Sequence, residues 1–408
     1  MKKKRQAVAA LALCMMCVAA GCGNASESAS VSNKADSVAS SDAGSLSHSE
    51  SGDASGDLKV TVLPAVVVDY VTASGDALDS PKTSLFPKEN DDNWTKNITP
   101  SESETGMEYI PPGYFSEKCD EPGTLVSIEY ETPILDFGDG SDDERRLAKG
   151  TPTGETSHKE AMVYLPYGYS EDQKYDIMYL QHGMSGTPHT YLGNEDNDGA
   201  FKTMIDHMIK DGVIKPIIIV APTITPEYET EIDRVNGLSC EVRDTLIPII
   251  ESKYSTYAES VSEKDLIKSR EHRCFGGFSM GGCATWWMLW KNTDYFRYYI
   301  PNSMIINPEE GTPVIEKPTE QMAEEMSLAG FTKDDFLIYC GTGTRDYTDY
   351  AVEQQVEELL KYPELFVSTG ESGFDDGNLM FRVWGGHYHK YTESFDYFFN
   401  ALKLFFSK

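Results

Sequence analysis

Gly277-Phe278-Ser279-Met280-Gly281 sets a serine between two glycines, with a further glycine at 282. A serine hydroxyl is a weak nucleophile until a base removes its proton, and the base must in turn be held in one tautomer by an acid. The chain offers both later on. Gly341-Thr342-Gly343-Thr344-Arg345-Asp346-Tyr347 carries Asp346, with Asp349 as its competitor. Gly385-Gly386-His387-Tyr388-His389 carries His387 directly after two glycines, and His389 two residues on. The expectation is that Asp346 is the acid and His387 the base, with His389 a pocket or surface residue. The chemistry would be acyl transfer through a covalent serine ester. Such a reaction also needs N–H donors for the oxyanion. The N–H of Met280, just after the serine, is one candidate. The other is the N–H of Met184 in Gln181-His182-Gly183-Met184-Ser185-Gly186, where the glycines let backbone approach a ligand. His182 reads as a brace for that loop.

These residues need rigid supports. Residues 272–278 read as a strand and 281–291 as a helix, so the serine falls in a sharp strand-to-helix turn, the setting that G-x-S-x-G requires. A helix starting there aims its first N–H groups at the site. Further strands are expected at 123–132, 161–165, 175–180, 217–220, 336–340 and 379–384. Helices are expected at 201–209, 238–253, 351–361 and 394–406. Apolar strands alternating with helices imply a mostly parallel sheet covered on both faces. Asp346 and His387 then follow the C-terminal ends of late strands, where ligand-contacting groups gather in such sheets. Trp384 ends the last strand beside the histidine loop and is the candidate substrate-contacting residue. Trp286, Trp287 and Trp290, at helical spacing, read as core.

The chain has 408 residues, 40% hydrophobic, enough for one large core. A net charge of -31 argues against nucleic-acid binding, which needs clustered Lys and Arg. Residues 2–5 are basic and 7–20 apolar, the pattern of an export signal and too short for a permanent membrane span. The run ends in Ala19-Ala20-Gly21-Cys22, which resembles a bacterial lipoprotein box and implies lipidation at Cys22. The expected organisation is a signal over 1–21, a Ser/Ala/Gly-rich tether over 22–57, an extension of uncertain structure over 58–122 and the main domain over 123–408. Cys119, Cys240, Cys274, Cys283 and Cys340 show no metal-site or disulfide spacing and read as buried thiols. No cofactor or metal is called for.

Taken in order, Val163-Tyr164-Leu165-Pro166-Tyr167-Gly168-Tyr169, His182 to Gly186, Gly277 to Gly282, Gly341 to Asp346 and Gly385-Gly386-His387 resemble carbohydrate esterase family one, the feruloyl and acetyl xylan esterases. Arg270-Glu271-His272-Arg273 and Lys253-Tyr254-Ser255 share the likeness. The resemblance implies an α/β-hydrolase fold and a metal-free triad falling on Ser279, Asp346 and His387. It also implies feruloyl or acetyl esters of a plant cell-wall polysaccharide as substrates. Two other readings stand beside it: a siderophore esterase, and a non-catalytic carbohydrate-binding lipoprotein on a hydrolase scaffold.

Overall fold

The computed structural model describes the backbone of 59–63, and residues 107–407 apart from 185, 195–196, 225–226, 308–315 and 370–372. The signal, Cys22 and the tether lie outside the described residues.

The strands are β1 (Lys59–Leu63), β2 (Thr124–Asp136), β3 (Thr151–Leu165), β4 (Asp176–Gln181), β5 (Ile217–Pro222), β6 (Arg273–Phe278), β7 (Tyr298–Asn302), β8 (Leu337–Gly343) and β9 (Leu379–Trp384). Among the described residues they form one sheet in the order β1-β2-β3-β5-β4-β6-β7-β8-β9. The pairings β1·β2, β2·β3 and β3·β5 are antiparallel. From β5 onward they are parallel. This is the expected α/β-hydrolase class.

The period-2 logic of a two-sided sheet is plain in β5. Ile218 and Val220 enter one core cluster, and Ile217, Ile219 and Ala221 the other. The first cluster receives α2 (Glu231–Glu241), α3 (Met280–Asn292), α4 (Glu316–Leu328) and α5 (Asp349–Leu359). The second receives α6 (Tyr391–Phe406) and α1 (Ala200–Lys210). Trp286, Trp287 and Trp290 are core, as expected. Their indole N–H groups donate to Met304 O, Ile306 O and Glu325 Oε2. Among the described residues, Cys119, Cys240, Cys274, Cys283 and Cys340 are buried free thiols.

Four departures from the sequence reading have physical causes. β2 and β3 run well past their expected ends, because the outer half of β3, Thr151–Thr156, is exposed and polar yet still paired with β2. The helix expected over 238–253 begins at Glu231 and is broken by a π-turn, Val242–Leu246, ahead of Ile247–Lys253. Pro248 lacks the N–H that a regular helix needs at that point. β7 has only five residues and holds Pro301, which argues against an interior strand, yet it lies between β6 and β8. Residues 107–122 pack on α6: Asp396 Oδ1 accepts the Ile110 N–H at 3.0 Å, and Asn400 Oδ1 accepts that of Glu108 at 2.9 Å.

Candidate active site

β6 ends at Phe278 and α3 begins at Met280, so Ser279 alone makes the turn. It does so at φ 60°, ψ -125°, a conformation costly for any residue with a Cβ. Positions 277, 281 and 282 around it are glycine because there is no room. A Cβ on Gly277 would sit 2.4 Å from Gly281 C. On Gly281 it would sit 2.1 Å from Gln181 O, and on Gly282 2.4 Å from Asn302 O. The Ser279 N–H donates to Asn302 O at 3.0 Å, tying the turn to β7. Met280, as the first helical residue, carries one of the N–H groups that a helix leaves without an internal acceptor.

The histidine brought to the serine is His389. Its Nε2 is 2.9 Å from Ser279 Oγ, and its Nδ1 is 2.9 and 3.1 Å from the two oxygens of Asp346. The expected base, His387, is corrected by this geometry. It points beneath the loop, its ring stacked near those of Trp384 and Tyr397 at 5.3 and 5.7 Å. Its Nε2 is 3.7 Å from Asp396 Oδ2. Burial pushes its pKa down to about 4, so it stays neutral in the fold. The glycine pair does make a tight turn, with Gly386 at φ 84°, but the turn carries His387 inward and leaves His389 facing the serine. Trp384 is corrected too: it is 1% exposed, packed on His387, Tyr397 and Tyr109, and has no face for a substrate.

Asp346, not Asp349, meets the imidazole. Asp349 opens α5. Asp346 is buried in the loop after β8, where its Oδ1 also accepts the N–H and hydroxyl of Thr348 at 2.9 and 2.7 Å. Burial pushes the carboxyl up, but the hydrogen bonds and charge of His389, with those of Thr348, outweigh it and the pKa is lowered. The loops bearing acid and base are stitched together. Arg345 N–H donates to His387 O at 2.9 Å, and Gly386 N–H to Thr344 Oγ1 at 2.8 Å.

The loop after β4 lies against the serine, since a Cβ on Gly183 would be 3.2 Å from Ser279 Cβ. It turns tightly, with Gly186 N–H donating to Gly183 O at 2.9 Å. His182 braces it: Nε2 accepts the Ile224 N–H at 3.4 Å, which leaves Nδ1–H to donate to Gly183 O at 2.7 Å. Sequence reasoning missed Tyr391. Its hydroxyl accepts the Gly183 N–H at 2.5 Å, and its ring packs on Phe278. It therefore joins the base segment, the early loop and the end of β6. Only its position two residues past His389 could have signalled this. With Gly183 so occupied, the Met184 N–H is the next donor along the loop.

The Esterase family matches residues 156–403. The chain belongs to this family. The likeness to carbohydrate esterase family one agrees with its relatives. The chain is 35% identical over 269 residues to endo-1,4-beta-xylanase Y of Acetivibrio thermocellus, covering 64% of this chain and 23% of that one. It is 30% identical over 148 residues to an endo-1,4-beta-xylanase/feruloyl esterase of Xylanibacter ruminicola, covering 34% of this chain and 18% of that one. It thus spans less than a quarter of the length of these curated relatives. A solved structure of the feruloyl esterase module from Clostridium thermocellum, a mutant complexed with sinapinate, is 30% identical, with a TM-score of 0.58. That match covers 74% of this chain and 93% of the module.

Proposed function

We propose that this esterase hydrolyses feruloyl or acetyl esters on plant cell-wall xylan through Ser279, His389 and Asp346. The observation that carries the mechanism is the continuous line from Ser279 Oγ to His389 Nε2, 2.9 Å, and from His389 Nδ1 to the buried Asp346 carboxylate, 2.9 Å. Ser279 attacks the ester carbonyl as His389 takes its proton. Asp346 holds the Nδ1–H tautomer and offsets the charge on the imidazolium. The N–H groups of Met280 and Met184 receive the oxyanion. His389 then gives its proton to the departing sugar oxygen, which leaves as a hydroxyl, and water activated by the same ring releases the acid. The substrate class is supported by the feruloyl esterase module and the xylanase relatives that the chain resembles.

We propose also that the protein is exported and held at the membrane surface by lipid on Cys22, with 22–57 as a tether. A polymer that cannot enter a cell has to be met outside it. Loss of membrane fractionation in Cys22→Ala tests the anchor. Release of acid from methyl ferulate, an aryl acetate and acetylated xylan tests the activity. A Ser279→Ala variant that keeps wild-type turnover would remove the mechanism, and inertness toward every ester would favour a binding role.

A further inference from the structure

Tyr347 follows Asp346 directly, and its ring centroid lies 4.3 Å from that of His389, tilted by 42°. The ring is nevertheless 70% exposed; among the described large apolar side chains, only Leu328 is more so. Its backbone lies within the turn closed by Thr348, whose N–H and hydroxyl both donate to Asp346 Oδ1. An aromatic ring that touches the imidazole on one side, has its hydroxyl hydrogen-bonded to Ser279, and is open to solvent on the other side is placed to receive something.

Which side of the ester it receives follows from the proton path. The leaving oxygen has to come within hydrogen-bond reach of His389 Nε2 to take its proton. A ring packed on the same imidazole therefore borders the alcohol half of the substrate. In a polysaccharide ester the alcohol half is a sugar. Sugar C–H bonds, weakly positive, pack on the negative face of an aromatic ring. The neighbouring exposed aromatics are engaged otherwise. Tyr388 is flanked by Lys390 and Arg345, 5.1 and 5.4 Å from its ring, and its hydroxyl accepts from Arg345 at 2.7 Å. The Tyr350 hydroxyl accepts from Gln354.

We propose that Tyr347 is the sugar-side contact of the active site, a specificity residue that stacks on the sugar bearing the ester. The inference rests on the proposed reading of the substrate as a sugar ester. It makes no choice between feruloyl and acetyl.

The test pairs each sugar ester with the methyl ester of the same acid: a feruloylated arabinoxylo-oligosaccharide with methyl ferulate, and an acetylated xylo-oligosaccharide with methyl acetate. The ratio of kcat/KM for sugar ester over methyl ester should fall about tenfold in Tyr347→Ala, a loss of about 1.4 kcal/mol, chiefly through KM. It should be nearly restored in Tyr347→Phe, which keeps the ring. An unchanged ratio, with both esters slowed alike, would overturn the inference and make Tyr347 a support for His389. A wild-type enzyme that cleaves methyl esters yet gains nothing from the sugar would overturn it as well. A wild-type enzyme without activity on any of the four overturns the functional reading itself, and the inference with it.

Discussion

His387 and His389 stand two residues apart and live in opposite environments. His389 lies between Ser279 Oγ and the Asp346 carboxylate, while His387 is buried among Trp384, Tyr397 and Tyr109 with Asp396 at 3.7 Å. One is placed to exchange protons, and the other holds up the floor beneath it.

Replacing the two should separate these roles. His389→Ala is expected to lower kcat by about 10³-fold, within the range that general-base catalysis supplies, with little change in thermal stability. His387→Ala is expected to lower Tm through the loss of a stacked buried ring, and to reduce kcat by less than tenfold on the order of one lost support. Turnover and melting of both variants check this. A collapse of kcat in His387→Ala with unchanged Tm would contradict it.

The buried pair also shapes the response to pH. Burial raises the Asp396 pKa to about 7 and lowers that of His387 to about 4. For Asp396 the folded chain binds the extra proton, so its contribution is present below the unfolded pKa of 3.8 and is lost as pH rises toward 7. For His387 the unfolded chain binds the extra proton, so its contribution is present above 6.5 and is lost as pH falls toward 4. Between these limits the two slopes oppose each other. Asp396→Asn removes one and leaves the other. Relative to wild type, the variant should therefore gain stability steadily as pH rises from 4 to 7, as denaturant midpoints at several pH values would show. A difference that does not vary with pH would contradict the raised pKa of Asp396.

Tyr391 is expected to act through the early loop. Phenylalanine at this position removes the acceptor of the Gly183 N–H, and a donor left without a partner costs about 1–3 kcal/mol when buried. The loop relaxes to find another, taking the Met184 N–H out of register. Tyr391→Phe should lower kcat about tenfold, the order of magnitude expected when an oxyanion donor is weakened but not removed, with KM for methyl ferulate nearly unchanged. A raised KM with kcat unchanged for every ester would point to a role in binding instead.

The parts of the fold legible in the sequence were those where local pattern and tertiary demand agree. Ile217 to Val220 must be a two-sided strand, and Gly277, Gly281 and Gly282 have no space for a Cβ. β7 was hidden because pairing with neighbours on both sides outweighs the cost of Pro301. In the site, residue type and loop were readable for the histidine, but its facing was not. Which of two histidines turns inward depends on Gly386 at φ 84° and on the aromatic bed of Trp384, Tyr397 and Tyr109. None of these contacts has a signature in the five-residue motif Gly385–His389. Tyr391 and Tyr347 were illegible for the same reason, since their partners lie on other strands and loops.

Ser279 itself stores strain that can be measured. At φ 60°, ψ -125° a side chain costs about 1–3 kcal/mol, a penalty glycine escapes. Ser279→Ala keeps the Cβ and hence the strain, while Ser279→Gly removes it. Both should lack esterase activity. The glycine variant should nonetheless be the more stable by about 1 kcal/mol, after the greater chain entropy that glycine loses on folding is set against the relief of strain. Chemical denaturation of the two variants gives this difference directly. A glycine variant no more stable than the alanine variant would mean that the turn is held at no cost. The tight packing of Gly281 on Gln181 O and of Gly282 on Asn302 O would then be enough to define the backbone at Ser279.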